Sequence, residues 1–220
     1  MKRKLFYQNL RTALLAAMCL ISFSFVSCSG DDDDEETTSS ATKYVNGYAA
    51  VDLGLSVKWA TCNIGADSPE DYGNYYAWGE TETKDSYTTS NYSIYKIEMD
   101  DIAGDVEYDA ATANWGSSWR MPTEEEFEEL LEKCSWTWTK QNGVKGYLVC
   151  GSNNNSIFLP CTGWFNKTSL EDLDDYGSYW SSTPRESNVS GAFALDFGSD
   201  YYDVDKLNRQ IGLTVRPVTD

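Results

Sequence analysis

The sequence predicts an α+β domain. Three observations lead there: one strong helix signal, a series of short strand-like segments bounded by Gly and Asn turns, and long polar stretches between them. The run Tyr44–Thr61 (YVNGYAAVDLGLSVKWAT) alternates apolar and polar residues around Gly47 and Gly54, as two or three short strands with tight turns do. Ser68-Pro69-Glu70-Asp71 places a cap residue before proline and reads as one helical turn. Residues 81–113 are polar, Tyr-rich and aperiodic, which predicts a long loop.

The single helix is expected over about 123–134. Thr123 is its N-cap and Glu126 completes a capping box three residues on. Glu124 and Glu125 favour the positive helix N-terminus. Phe127, Leu130, Leu131 and Cys134 recur at helical spacing and define one buried face. Beyond it, GYLVC and SIFLPC flank the turn-rich Ser152-Asn153-Asn154-Asn155, which predicts a hairpin. SYWSST, GAFALDF and IGLTVRPV are further strand candidates.

Ahead of the domain, Lys2, Arg3, Lys4 and Arg11 precede the largely apolar Ala13–Val26, 14 residues that suit a secretory signal core and are short for a membrane span. Ser27-Cys28 then resembles a bacterial lipoprotein processing site, which implies a leader over 1–27 and acylation of Cys28. Asp31–Glu36 are six consecutive carboxylates whose repulsion keeps the segment extended. Ser29-Gly30-Asp31-Asp32-Asp33-Asp34 also resembles the export signal of surface lipoproteins in Bacteroidota. The organisation expected is therefore a signal peptide (1–27), a lipidated acidic tether (28–42) and a folded domain (43–220). The chain would be anchored in the outer membrane through lipid only and face the cell exterior. An ordinary secretory signal, or a spacer on a periplasmic lipoprotein, are the alternatives. Fully extended, Ser29–Thr42 reaches at most about 50 Å.

Without the leader the chain carries 13 basic and 35 acidic side chains, a net charge of −22. Such a surface repels phosphate backbones, so nucleic acid is not an expected partner. The sequence contains no histidine. A Ser-His-Asp triad, a Cys-His pair and a His-ligated zinc are thereby excluded. Cys62, Cys134, Cys150 and Cys161 remain in the body of a secreted chain and allow two disulfides in three connectivities. No cofactor is expected. Asp100, Asp101, Asp105, Glu107 and Asp109 could hold calcium, but they do not match an EF-hand loop, and a solvated acidic loop is the preferred reading.

Five segments then occur in order: VDLGLSVKWATCNIGADSPEDYGNYYAWGET, NWGSSWRMPTEEEFEELLEKCSWTWT, NGVKGYLVCGSNNNSIFLP, GSYWSST and GLTVRPV. Together they resemble the Fibrobacter succinogenes major paralogous domain over nearly all of Ala49–Val218. Trp119-Arg120-Met121-Pro122-Thr123 and the acidic helix are also similar to formylglycine-generating sulfatase-modifying domains. The resemblance implies a C-type-lectin-like fold, with short twisted antiparallel strands and long loops. It does not extend to the oxidase chemistry, which uses a cysteine pair near the C-terminus, whereas the last cysteine here is Cys161. Both Cys62 and Cys134 fall within the resembling segments, and a bridge between them would tie the helix to the N-terminal strands. Cys150 and Cys161 are the second candidate pair.

All eight tryptophans lie in the folded part, where each is either core or a platform for a sugar ring. Trp59 and Trp119 read as core. Trp136 and Trp138 alternate along a strand and project to one face. Trp78 beside Glu80, Trp115 after Asn114, and Trp164 after Gly163 are the ligand-binding candidates, together with Glu80 and Asn114. Arg120 and Arg216 could each bind a ligand carboxylate; pairing with a carboxylate of the fold is preferred. The expected function is a surface binding or adhesion module for a glycan or protein ligand, rather than an enzyme, and no catalytic residue is assigned. An enzyme that acts on extracellular glycans through carboxylates, or a purely structural surface protein, are the alternatives. One outcome checks the anchor. Mass spectrometry of the mature N-terminus should find acyl mass on Cys28, and Cys28→Ala should release the protein from membranes or block its maturation.

Overall fold

Asn46 and Gly47 both take positive φ, 45° and 85°, as a two-residue hairpin turn matched to strand twist requires. They join β1 (Thr42–Val45) to β2 (Tyr48–Val51) in the computed structural model, which describes residues 42–186 and 188–220. The leader, Cys28 and the acidic tether lie outside the described residues, apart from Thr42 at the start of β1. β3 (Lys58–Ala60) pairs with β2. A long irregular stretch follows, with one 3-10 turn at Thr89–Asn91.

Asp109 shapes that stretch. It is fully buried and caps the short α1 (Ala110–Trp115) by accepting from the Ala111 and Thr112 N–H groups. Its other oxygen accepts from the Gly104 and Met121 N–H groups, which ties the loop before α1 to the segment before the main helix. Burial pushes the Asp109 carboxyl above its ordinary range, against the pull of these four donors.

The main helix, α2, spans Glu124–Lys133. Thr123 Oγ1 accepts from the Glu126 N–H at 3.3 Å, and Glu126 Oε2 accepts from the Thr123 N–H at 2.9 Å, so the capping box forms in both directions. Arg120 forks onto both oxygens of Glu126, at 2.8 and 2.6 Å. Phe127 and Leu130 are fully buried and face Trp59 and the sheets.

Nine strands complete the described chain. They are β4 (Ser135–Gln141), β5 (Val144–Cys150), β6 (Ser156–Pro160), β7 (Trp164–Asn166), β8 (Ser169–Glu171), β9 (Gly177–Pro184), β10 (Gly191–Gly198), β11 (Tyr201–Asn208) and β12 (Val218–Thr219). Asn142 and Gly143 repeat the Asn-Gly turn between β4 and β5. The hairpin expected across Ser152–Asn155 is the β5–β6 pair. The sheets are β1-β2-β3-β12, β11-β10-β9, β4-β5-β6 and β7-β8, and every ladder between named strands is antiparallel. β12 pairs with β3, with Val218 opposite Trp59, so the end of the chain returns to its N-terminal hairpin.

This architecture corrects the expected class. Four antiparallel sheets, with two helices of 6 and 10 residues among the described residues, make a mostly β protein, not the α+β, C-type-lectin-like arrangement that the resemblance implied. The reason is local. β9 is buried along its first six residues and so shows no alternation, while other strands are only two to four residues long. The helix signal was therefore the clearest pattern in the sequence, out of proportion to its share of the fold.

The cysteine expectations are corrected too. Among the described residues no disulfide joins Cys62, Cys134, Cys150 or Cys161, so neither the Cys62–Cys134 bridge nor the Cys150–Cys161 bridge is present. Cys150 pairs with Ser156, whereas Cys161 donates its N–H to Lys145 O at the far end of the same hairpin. Five strand residues separate those ends, roughly 17 Å, beyond disulfide reach. Burial pushes the Cys134 thiol up to about 11 and the Cys161 thiol up to about 12, so both stay protonated at neutral pH.

Asp109 generates a prediction. Asp109→Ala strands four N–H donors and should destabilise the protein by at least about 3 kcal/mol in urea unfolding, whereas Asp105→Ala, at an exposed turn, should cost under about 1 kcal/mol.

Candidate functional site

Trp136 and Trp138 project from one face of β4, as strand alternation requires. Trp136 lies inward. It stacks on Tyr202 of β11 with ring centroids 4.9 Å apart and donates its indole N–H to Leu130 O. Trp138, one pleat further out, packs in a T-shaped arrangement with Tyr147, its cross-strand partner, at 5.1 Å. Its indole N–H has no acceptor among the described residues, and the ring forms a wall of an open cleft of about 310 Å³. Lys145, Asp175, Tyr176 and the turn Gly198-Ser199-Asp200 form the rest of the lining.

Each of these groups is positioned by a different element. Lys145 stands on β5, two residues before Tyr147 and on the same face. Its ammonium lies 2.9 Å from Asp175 Oδ1, and that hydrogen bond raises the Lys145 pKa above its ordinary value. Asp175 and Tyr176 belong to a tight turn in which Asp172 and Asp174 adopt positive φ, tolerated by aspartate. Trp164 Nε1 donates to Asp172 Oδ2 at 3.1 Å, the Asp174 N–H donates to Cys161 O, and the Tyr72 hydroxyl donates to Asp174 at 2.5 Å. On the far side the β10–β11 turn approaches closely. A Cβ at Gly198 would come within 2.9 Å of the Tyr201 ring and 3.2 Å of the Tyr176 ring, so a side chain there would displace the aromatic lining. Asp196 accepts from the Tyr201 hydroxyl at 3.2 Å and the Ser178 hydroxyl at 2.7 Å.

The cleft thus combines an aromatic face, a lysine, two carboxylates and a tyrosine. An aromatic face can cover the apolar side of a sugar ring while the polar groups bond its hydroxyls. It contains no thiol or serine paired with a base, so it offers no activated nucleophile of that kind.

The residues singled out from the sequence are placed elsewhere, with one link to the cleft. Trp78 is fully buried and donates its indole N–H to Ser181 O. Trp115 is buried and stacks on Tyr48, centroids 3.8 Å apart. Both expectations of a ligand-facing ring are corrected: α1 and the sheet core enclose these side chains. Glu80 accepts from the Ser93 N–H and hydroxyl and pairs with Lys84. Asn114 donates to Thr81 O and Ala110 O. Glu80 and Thr81 line a second, more open cleft of about 450 Å³, so the structure brings Glu80 and Asn114 near one another, without their tryptophans. Trp164 is half-buried and acts on the first cleft only by fixing Asp172. Arg216 is held not by a carboxylate but by Asn63 Oδ1 and by the Ala60, Thr61 and Phe158 carbonyls.

Three of the five acids considered for calcium are engaged within the fold, mostly by the backbone. Asp101 accepts from the Ala103 N–H and the Thr183 hydroxyl, Asp105 from the Glu107 N–H, and Asp109 from four N–H groups. Among the described residues no three His, Cys, Asp or Glu side chains are grouped to hold a metal.

Trp138 was noted only for sharing a strand face with Trp136, and Lys145, Asp175, Tyr176 and Asp200 were not singled out. The Trp136-Thr137-Trp138 alternation was the one usable signal. It shows that two rings share a face but not which of them the β11 residue Tyr202 covers. The two classes of tryptophan differ in their expected cost. Trp78→Ala should destabilise the protein by about 3–5 kcal/mol, whereas Trp138→Ala should leave a cooperative melting transition with a loss of about 1–2 kcal/mol, measured by chemical denaturation.

Residues 132–218, from the end of α2 to β12, match a family model described as a domain of unknown function (DUF8237). No curated protein matches the chain, and no solved structure does. The matched span contains Trp138, Lys145, Asp175, Tyr176 and Asp200, the residues that build the cleft.

Proposed function

We propose that the chain is a binding module, anchored to the outer membrane through acylated Cys28 and displayed on its outer face, that captures a neutral glycan in the Trp138 cleft. The observation that carries this reading is the Trp138 ring itself. It is half-buried, its indole N–H is unpaired among the described residues, and it stands opposite the Lys145–Asp175 pair, Tyr176 and Asp200. A large aromatic residue left partly uncovered beside fixed polar groups is the usual composition of a ligand site. A net charge of −22 without the leader disfavours acidic polysaccharides and leaves neutral sugars unaffected. Two carboxylates on one cleft, Asp175 and Asp200, keep the glycan-cleaving alternative in view. Asp175 is already engaged by the Lys145 ammonium at 2.9 Å.

A glycan array with the purified protein should return neutral oligosaccharides. Trp138→Ala should weaken the best of them by about 2 kcal/mol, roughly 30-fold in Kd, with the fold retained. Binding unchanged by Trp138→Ala would remove the cleft from the function. Steady release of reducing ends from the bound glycan would replace capture with hydrolysis.

A further inference from the structure

A third cleft, of about 400 Å³, lies on another part of the surface and contains an arginine without an acid partner. Arg209 follows β11 and is 1 % exposed, yet it lines this cleft. Its guanidinium is held on three sides. Nε donates to Gly191 O at 2.9 Å, Nη1 donates to Ile97 O at 3.1 Å, and one face lies over the Trp78 ring, 4.2 Å from the centroid. Among the described residues it forms no ion pair, and Nη2 has no hydrogen-bond partner. Burial lowers the Arg209 pKa, but a guanidinium remains charged at any physiological pH. The group is thus a fixed, oriented donor whose charge no side chain of the protein neutralises by contact.

The rim above it has the opposite character. Glu98, Asp100, Glu125 and Glu186 make neither an ion pair nor a side-chain hydrogen bond among the described residues, and all four are exposed. Asp101 also lines the cleft, but its oxygens are taken by Ala103 and Thr183. Arg185 is the one other cation of the lining. A simple anion would reach Arg209 only past this acidic rim. A simple cation would be drawn to the rim and leave Nη2 without an acceptor. A ligand with a carboxylate at one end and positive charge at the other satisfies both.

We propose that this cleft binds a basic α-amino acid, free or as the C-terminal residue of a peptide. The carboxylate accepts from Arg209 Nη2, and the ammonium groups lie among Glu98, Asp100, Glu125 and Glu186. Trp78 then has a role that its sequence context did not suggest: it is the platform that orients the arginine. The site is separate from the Trp138 cleft and does not depend on it, since the two share no lining residue.

Calorimetric titration of the purified protein with L-lysine tests this. L-lysine should bind, and cadaverine, which keeps both amines but lacks the carboxylate, should bind at least about 10-fold more weakly. A peptide ending in lysine distinguishes the sources: tighter binding than L-lysine points to peptide termini, weaker binding to the free amino acid, and either outcome supports the site. Arg209→Lys should abolish the preference for L-lysine over cadaverine. The exposed double variant Asp100→Asn, Glu186→Gln should weaken L-lysine about 10-fold even if the arginine variant does not fold. Trp138→Ala should leave L-lysine binding unchanged. Equal binding of cadaverine and L-lysine would reduce the cleft to an acidic surface, and no binding of L-lysine or the peptide would overturn the proposal.

Discussion

The packing of this protein depends on a guanidinium buried without a carboxylate. Arg216 is fully buried, and four oxygens receive its donors: Asn63 Oδ1 at 2.7 Å, the carbonyls of Ala60 and Thr61 at 3.1 and 2.7 Å, and the carbonyl of Phe158 at 3.0 Å. Burial lowers its pKa, yet the ion stays charged, and its charge is solvated by backbone dipoles instead of water. Three segments distant in sequence must meet for this to happen: the end of β3, the middle of β6 and the approach to β12. Withdrawing the carbonyls of β3 or β6 would leave donors of a buried charge unsatisfied, a larger penalty than the loss of an ordinary hydrogen bond.

That constraint extends to the Trp138 cleft. Asn63, which accepts from Arg216, donates its own amide to Tyr72 O, and the Thr214 hydroxyl donates to the same carbonyl. The Tyr72 hydroxyl then reaches Asp174, beside the residues that supply Asp175 and Tyr176 to the cleft. The turn that carries half of the lining is therefore tied to the core by hydrogen bonds as well as by Trp164. A surface held by such a network retains little side-chain freedom.

Hydrogen bonding also separates structural tryptophans from the candidate ligand platform. Trp78, Trp119 and Trp180 are fully buried, and each donates its indole N–H to a backbone carbonyl: Ser181, Val45 and Tyr76 respectively. A buried N–H without an acceptor is costly, so these partners are part of why the rings can be core. Trp59 is the exception, its enclosed indole N–H without an acceptor among the described residues. Trp138 differs from all of them in being only half-buried, its polar edge left for solvent or ligand.

Interactions within a few residues were legible in the sequence. The capping box of Thr123 and Glu126, the apolar face of Phe127 and Leu130, the β5–β6 hairpin and the shared face of Trp136 and Trp138 all follow from backbone periodicity and short-range hydrogen bonds. The absence of histidine and the strong negative charge were likewise available from composition and narrowed the chemistry. The fold class, the burial of Trp78 and Trp115, the absence of the expected disulfides among the described residues and the three clefts were not legible. Each depends on contacts between segments far apart in the chain: Trp78 finds its acceptor 103 residues away, and Arg209 finds Ile97 at a separation of 112. No local pattern encodes such a partner, because pairing between distant segments is selected by the free energy of the whole core, and only the tertiary structure decides which aromatic rings it encloses and which it leaves at the surface.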